Sequence, residues 1–211
     1  CVELLDGKGR RYHGRIKQAD AHAAVIEIDQ IGEADPPKHQ VRLLQALPKG
    51  KAMDLVLRMA SEIGVSAVQP VYTSQSEVKI PDERLAGKVE KWRATTIEAC
   101  KQCGLAYLPE IHAPVALNDW LGGNAACEDE FRIVASLESG AGLLLDAVSK
   151  SPLPQRITLA VGPEGDFSGE EYNALRSNGF IPVRLGGNVL RAETATAYIL
   201  SVIDQVSASS G

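Results

Sequence analysis

Two short stretches hold residue types and spacings suited to chemistry. In the first, the apolar run Leu159-Ala160-Val161 ends in Gly162-Pro163-Glu164-Gly165, followed by Asp166-Phe167-Ser168-Gly169-Glu170-Glu171. Glycines at a strand end let a ligand approach the backbone closely, and ligands of open α/β sheets sit outside the carboxyl ends of the strands. Ser168 with Glu171 three residues on is a capping box, and Phe167 can staple to Tyr172, so a helix starts here. In the second, Val183-Arg184-Leu185 runs into Gly186-Gly187-Asn188-Val189-Leu190, and Arg191 then precedes a helix whose first turn holds Glu193 and Thr194. The first stretch also suits a plain strand-to-helix turn and the second an amphipathic C-terminal helix.

Other chemistries lack their residues. There is no Gly-x-x-x-x-Gly-Lys-Ser/Thr phosphate loop, no Gly-x-Gly-x-x-Gly after a strand and no Gly-x-Ser-x-Gly elbow. His13, His22, His39 and His112 are scattered away from cysteines and carboxylates at ligand spacing, so no metal centre is expected. Cys100-x-x-Cys103 falls near a helix end, where nothing lowers a thiol pKa, and reads as helix packing.

These stretches need elements to hold them. The first 46 residues read as β: an apolar run at the start, the turn Asp6-Gly7-Lys8-Gly9, then strands over Arg10–Ile16, His22–Asp29 and Val41–Leu47. From Pro48 the pattern alternates. Lys51–Ile63 is a helix closed by Gly64, Val65–Tyr72 a strand, Arg84–Cys103 a long helix, Arg132–Leu137 and Ile157–Val161 buried strands. Gly169–Ser177 is a helix, Phe180–Leu185 a strand and Glu193–Val206 the last helix. Such alternation implies an α/β fold with a mostly parallel sheet covered on both faces. The domain boundary is expected at Leu47-Pro48, giving a β domain over 1–47 and an α/β domain over 48–211.

Net charge is −5 over 211 residues, which argues against a protein that coats nucleic acid indiscriminately. The charge is unevenly placed: residues 1–48 carry seven basic and seven acidic side chains, 49–108 nine and seven, and 109–211 six and thirteen. The middle can therefore present a basic face. No apolar run approaches the roughly 20 residues of a membrane span. Four unevenly spaced cysteines point to a reducing, cytoplasmic setting. The opening Cys1-Val2-Glu3, without Met or signal features, reads as a fragment whose earlier strands are absent.

In order along the chain, Pro48-Lys49-Gly50-Lys51-x-Met53-Asp54, Glu62-Ile63-Gly64-Val65, Val78-Lys79, Lys91-Trp92, Gln102-Cys103-Gly104, Gly162-Pro163-Glu164-Gly165-x-Phe167-Ser168, Leu185-Gly186 and Leu190-Arg191-x-Glu193-Thr194-Ala195 resemble the RsmE family of 16S ribosomal RNA methyltransferases, in the SPOUT superfamily. The resemblance spans residues 48–204. It implies transfer of a methyl group from S-adenosylmethionine to N3 of one uridine in small-subunit RNA. It also implies a C-terminal domain with a deep trefoil knot, an incomplete N-terminal PUA-like RNA-binding barrel, and a homodimer. The cofactor residues it implies are Leu137, Glu138, Val161, Gly162, Pro163, Glu164, Gly165, Leu185, Gly186, Val189, Leu190, Arg191, Thr194 and Ala195. Arg191 would steady charge on the uracil or position it, and Glu193 would act as base or orient Arg191; an Arg191–Glu193 pair that only locks the chain is the structural alternative. Lys49, Lys51, Lys79, Lys91 and Arg93 would meet RNA phosphates. Another knotted methyltransferase with a different RNA target, or a noncatalytic ribosome-assembly factor, would share many of these residues.

Overall fold

The computed structural model describes residues 1–149 and 152–209. Its N-terminal part is a three-stranded antiparallel sheet of β1 (Val2–Leu5), β2 (Arg10–Ala19) and β3 (Ala24–Glu33). Lys8 and Arg10 both donate main-chain N–H groups to Asp6, which closes the first turn. The sheet docks on the body through Gly9. That residue has φ +102°, donates to the Ala106 carbonyl, and lies so close to Tyr107 that a Cβ there would stand 2.5 Å from the phenol oxygen.

The body runs β4 (Gln40–Ala46), α1 (Ala52–Glu62), β5 (Ala67–Tyr72), α2 (Asp82–Cys103), β6 (Glu110–Ile111), β7 (Val115–Ala116), α3 (Leu117–Gly123), β8 (Glu130–Ala135), β9 (Gly142–Leu143), α4 (Leu144–Val148), β10 (Arg156–Val161), α5 (Gly169–Ser177), β11 (Ile181–Arg184) and α6 (Ala192–Ser209). The strands lie in the order β6-β5-β4-β10-β8-β11-β9, with β7 also on β5, and every pairing is parallel.

Alternation along the central strands divides the interior in two. Leu43, Ile133, Leu159 and Val161 point to one face, where α1, α2 and α6 pack through Leu57, Trp92 and Ile199. Leu44, Val134 and Ala160 point to the other, against Trp120 and Leu121 of α3 and Tyr172 and Leu175 of α5. With both faces covered, parallel strands read as unbroken apolar runs, as Ile157–Val161 does.

The expected boundary at Leu47-Pro48 is corrected. Strand β4 lies between β5 and β10 at the middle of the parallel sheet, so the body begins before Gln40 and the N-terminal sheet ends with β3. Val41–Leu47 is strand-like by composition, but composition carries no record of its neighbours. The expected strand at Arg132–Leu137 is observed two residues earlier, at Glu130–Ala135, which leaves Leu137 beyond its end. Helices α3 and α4 and the two-residue strands β6, β7 and β9 had no sequence expectation, because segments of two to seven residues show no measurable period.

Local chemistry sets the helix ends. Gly64 at φ +91° closes α1 with paired bonds from Gly64 N to Ser61 O and Val65 N to Ala60 O, the Schellman arrangement. Gly104 at φ +73° ends α2. The Ser168–Glu171 capping box forms at α5, and Phe167 meets Tyr172 edge to face with ring centroids 5.7 Å apart.

Candidate functional site

The carboxyl ends of the neighbouring strands β10, β8 and β11 face one cleft, closed from the side by the start of α6. Ten of the residues expected at a cofactor line it: Leu137 beyond β8, Val161, Gly162, Pro163 and Glu164 at and after β10, Leu185, Gly186, Val189 and Leu190 after β11, and Ala195 on α6. Gly165, Glu138, Arg191 and Thr194 are not among the lining residues. Sequence reasoning did not single out Ala135, Ser136, Asp166, Arg184, Asn188 and Ala192, which also line the cleft.

Gly162 has a steric reason to lack a side chain: a Cβ there would come within 3.1 Å of Asp166 Oδ1 and 3.3 Å of the Phe167 ring. Asp166 is the non-glycine residue with positive φ, +62°, among the described residues. That conformation disfavours most side chains, and Asp tolerates it when its carboxylate bonds locally. Here the carboxylate accepts from the Phe167 N–H at 2.8 Å and from the Tyr172 hydroxyl at 2.8 Å. Burial pushes the Tyr172 phenol pKa up, and the adjacent Asp166 carboxylate adds to the rise, so the phenol stays a donor. An unusual backbone angle at residue 166 is thus a readable signal only once φ is known.

Glu138 turns aside to pair with Arg176, whose guanidinium lies over the Tyr172 ring at 5.6 Å. Gly165 backs onto Gln75: a Cβ on Gly165 would stand 3.3 Å from Gln75 Cβ. The loop after β5 is held there by Glu171, which accepts from Ser74 N and Ser74 Oγ. Glu164 accepts from the Lys49 N–H at 2.9 Å, which brings the start of α1 to the lip of the cleft.

Arg191 is exposed, Glu193 half-buried, and neither makes an ion pair or side-chain hydrogen bond among the described residues. The structural alternative, an Arg191–Glu193 pair locking the chain, is absent. Nearby, a buried hydrogen bond from Thr196 Oγ1 to Gln45 Oε1, 2.7 Å long, fixes the first turns of α6 to β4. Among the basic residues, Lys49 pairs with Glu77, Lys91 with Asp54 and Arg93 with Glu90, while Lys51 and Lys79 make no ion pair among the described residues. Exposed pairs of this kind are weak and screened by salt, so they leave these cations open to exchange for a phosphate.

The cleft suits an adenosine-bearing cofactor in its chemistry. Its walls are apolar at Leu137, Val161, Leu185, Leu190 and Ala195, and residues 186–190 spend no main-chain hydrogen bonds on the rest of the described protein, which leaves donors and acceptors for a ligand. Among the described residues no group of His, Cys, Asp and Glu could hold a metal ion.

Comparison with known proteins agrees with this layout. Residues 35–204 match the RNA methyltransferase domain family. The ribosomal RNA small subunit methyltransferase E of Aquifex aeolicus is 31% identical over 204 residues, covering 93% of this chain and 82% of that protein. The chain belongs to the ribosomal RNA small subunit methyltransferase E family. The family member from Synechocystis is 29% identical over 95% of this chain, which spans 64% of that protein's length. Among solved structures, a SAM-bound methyltransferase from Legionella pneumophila superposes with a TM-score of 0.87 at 29% identity, over 96% of this chain and 81% of that one. The family member from Neisseria gonorrhoeae, bound to S-adenosylmethionine, does so with 0.86 at 26%, over 97% and 82%. The family match begins at residue 35, before β4, in line with the corrected boundary.

Proposed function

We propose that this protein methylates N3 of one uridine in the 16S RNA of the small ribosomal subunit, with S-adenosylmethionine as donor, in the cytoplasm and as a homodimer. The observation that carries the reading is one cleft shared by three parallel strand ends and the start of α6, with Arg191, which has no ion pair among the described residues, between two lining residues, Leu190 and Ala192. The SAM-bound relatives share this fold.

When bound, S-adenosylmethionine supplies an electrophilic methyl group on a sulfonium. The chain's own work is to place the acceptor and manage a proton. Holding the uracil in a near-attack position contributes up to about 7–11 kcal/mol. The N3 proton must leave, and the charge left on O2 and O4 must be met by a donor. Arg191 fits the donor, since no carboxylate of the described residues occupies it. Glu193 fits the proton acceptor better than the orienter of Arg191, since the two do not touch. Leu137, Leu185 and Leu190 keep water from the cofactor; Glu138, Gly165 and Thr194 act at its margin. Lys49, Lys51, Lys79, Lys91 and Arg93 meet RNA phosphates, and the three-stranded sheet is read as part of a PUA-like RNA-binding unit.

A deep trefoil knot is proposed for the stretch from β8 to α6, supported by the return of the chain to the same cleft after β10 and again after β11. The homodimer is supported by apolar side chains exposed on elements around the cleft, Leu145 at 60% and Val189 at 76%, with Leu137 and Tyr198. Sedimentation equilibrium checks it; a monomer at micromolar concentration refutes it.

Calorimetry with S-adenosylmethionine tests the enzyme reading, and a lack of binding would sink it. Mass spectrometry of 16S RNA from cells lacking the gene tests the target: loss of 3-methyluridine is expected, and an unchanged level would exclude this nucleotide.

A further inference from the structure

A second and larger cleft, of about 720 Å³, opens at the opposite, amino ends of the parallel strands, beside the joint with the N-terminal sheet. Arg42, Thr158 and Arg132 are register partners across β4, β10 and β8. They alternate with Leu43, Leu159 and Ile133 of one core and so leave the sheet on its other face, in a row with strand spacings of about 4.8 Å. Arg156, two residues before Thr158, lies on the same face one step further toward the amino end.

The three arginines are not equivalent. Arg132 is 3% exposed and tied down: it pairs with Glu130 and donates to the carbonyls of Asn124, Ala125 and Asn178 at the carboxyl ends of α3 and α5, where a cation offsets the helix dipoles. Even so, its buried Nε has no hydrogen-bond partner. Arg42 and Arg156 make no ion pair among the described residues. Arg42 lies 6.0 Å over the Trp120 ring, and Arg156 reaches only the Cys127 sulfur at 3.5 Å. Among the described residues these two cations have no paired carboxylate: Glu130, the register partner of Arg156, is taken up by Arg132 and Thr158, so both guanidinium groups are open to an anion from outside.

We propose that this amino-end cleft binds phosphate groups of the RNA backbone, through the guanidinium groups of Arg42 and Arg156. Guanidinium forks match phosphate oxygens in pairs. Sequence-independent contacts of this sort set register on a nucleic acid while others read the base. A polymer backbone is favoured over a free nucleotide because the site's cations are carried on side chains, in a lining that also holds the carboxylates Glu110 and Glu130. No glycine loop lines it apart from Gly64, and in a parallel α/β layer the helix N-termini that cradle small phosphates lie at the other end of the strands. The five steps along β10 from Arg156 to Val161 put the two clefts about 17 Å apart, a distance that a looped RNA segment bridges. The inference rests on the reading of the protein as an RNA methyltransferase.

The test is fluorescence anisotropy of the full chain with a labelled oligouridylate at several salt concentrations, with calorimetry of S-adenosylmethionine as the control for folding. Arg156→Glu, at an exposed site, is expected to weaken oligouridylate binding about tenfold. Arg42→Gln with Arg156→Gln should flatten the dependence of log affinity on log salt by about 1.4, at ~0.7 per phosphate on a single strand. Arg42→Lys with Arg156→Lys should keep the slope. Unchanged affinity and slope in Arg156→Glu, with cofactor and RNA still bound, overturns this inference and leaves the methyltransferase reading intact. If uridine monophosphate or inorganic phosphate binds in an Arg156-dependent way while oligouridylate affinity does not change, the cleft takes a free phosphate and the RNA assignment falls. If the wild-type chain binds the cofactor and no RNA, both readings fall together.

Discussion

At the scale of single residues, Arg191 and Asp166 differ in what they do at the strand-end cleft. Arg191 is free of side-chain partners among the described residues, so under the proposed function its charge is available to the reaction. Arg191→Ala is expected to lower kcat about 10²–10³-fold, the usual loss of one donor to developing charge, with far less effect on S-adenosylmethionine affinity; single-turnover kinetics beside calorimetry separates the two, and equal losses would instead make Arg191 part of the pocket. Asp166 holds shape. Its φ of +62° costs about 1–2 kcal/mol for a residue with a Cβ, offset by charged hydrogen bonds worth about 1.5–3 kcal/mol each from Phe167 N and the Tyr172 hydroxyl. Asp166→Ala keeps the strain and loses the bonds, whereas Asp166→Gly loses the bonds and sheds the strain. Thermal unfolding should therefore rank wild type above Asp166→Gly and that above Asp166→Ala; the reverse order of the two variants would show that the strain is not real.

At the scale of elements, buried polar contacts tie strands to helices where apolar packing alone leaves freedom. Glu130, Arg132 and Thr158 join β8 to β10 at their amino ends. Burial raises the Glu130 pKa, but hydrogen bonds from Arg132 and Thr158 outweigh it and hold the carboxyl below its ordinary 4.5. A depressed carboxyl pKa stabilises the fold fully above the unfolded value and loses that contribution as pH falls through the folded one. Glu130→Gln is accordingly expected to cost about 3 kcal/mol at pH 7, the low end for breaking a buried pair, with the gap from wild type narrowing below about pH 4.5. Urea unfolding at pH 7 and pH 3 measures this, and a gap that does not change with pH would refute it. Cys100 shows the same physics: burial, with a smaller contribution from Cys103, pushes its thiol up to about 11; both are free thiols, Cys100 buried as a packing residue and Cys103 exposed rather than packed.

At the scale of the whole molecule, the N-terminal sheet meets the body through a narrow joint. Gly9 and Tyr107 are in contact, Tyr107 donates to the Ala34 carbonyl, and Arg11 donates to the Gly104 carbonyl. Gly9→Val is strained at φ +102° and collides with the Tyr107 ring. It should loosen residues 1–33 while the body stays folded: limited proteolysis is expected to cut the N-terminal sheet faster, with cofactor affinity within about twofold of wild type. Equal loss of both would show that the sheet and body fold as one cooperative unit.

Much of this was legible in the sequence where the cause is local. The Ser168–Glu171 cap, the Gly64 and Gly104 helix ends and the buried run Ile157–Val161 follow from neighbouring residues, and the spacing of Gly162, Gly165 and Leu185–Ala195 marks where the chain leaves its strands. What the sequence left open depends on partners distant in the chain. β4 takes its central place only through pairing with β10, more than a hundred residues later. The turn of Glu138 toward Arg176, 38 residues later, is likewise decided by a contact across the fold. The row of Arg42, Thr158 and Arg132 exists only through strand register, since 90 residues separate its first arginine from its last. Local sequence determines which elements form and how they end, because those energies act over one helical turn; tertiary packing alone decides which ends meet, because that is settled by burial shared between segments far apart.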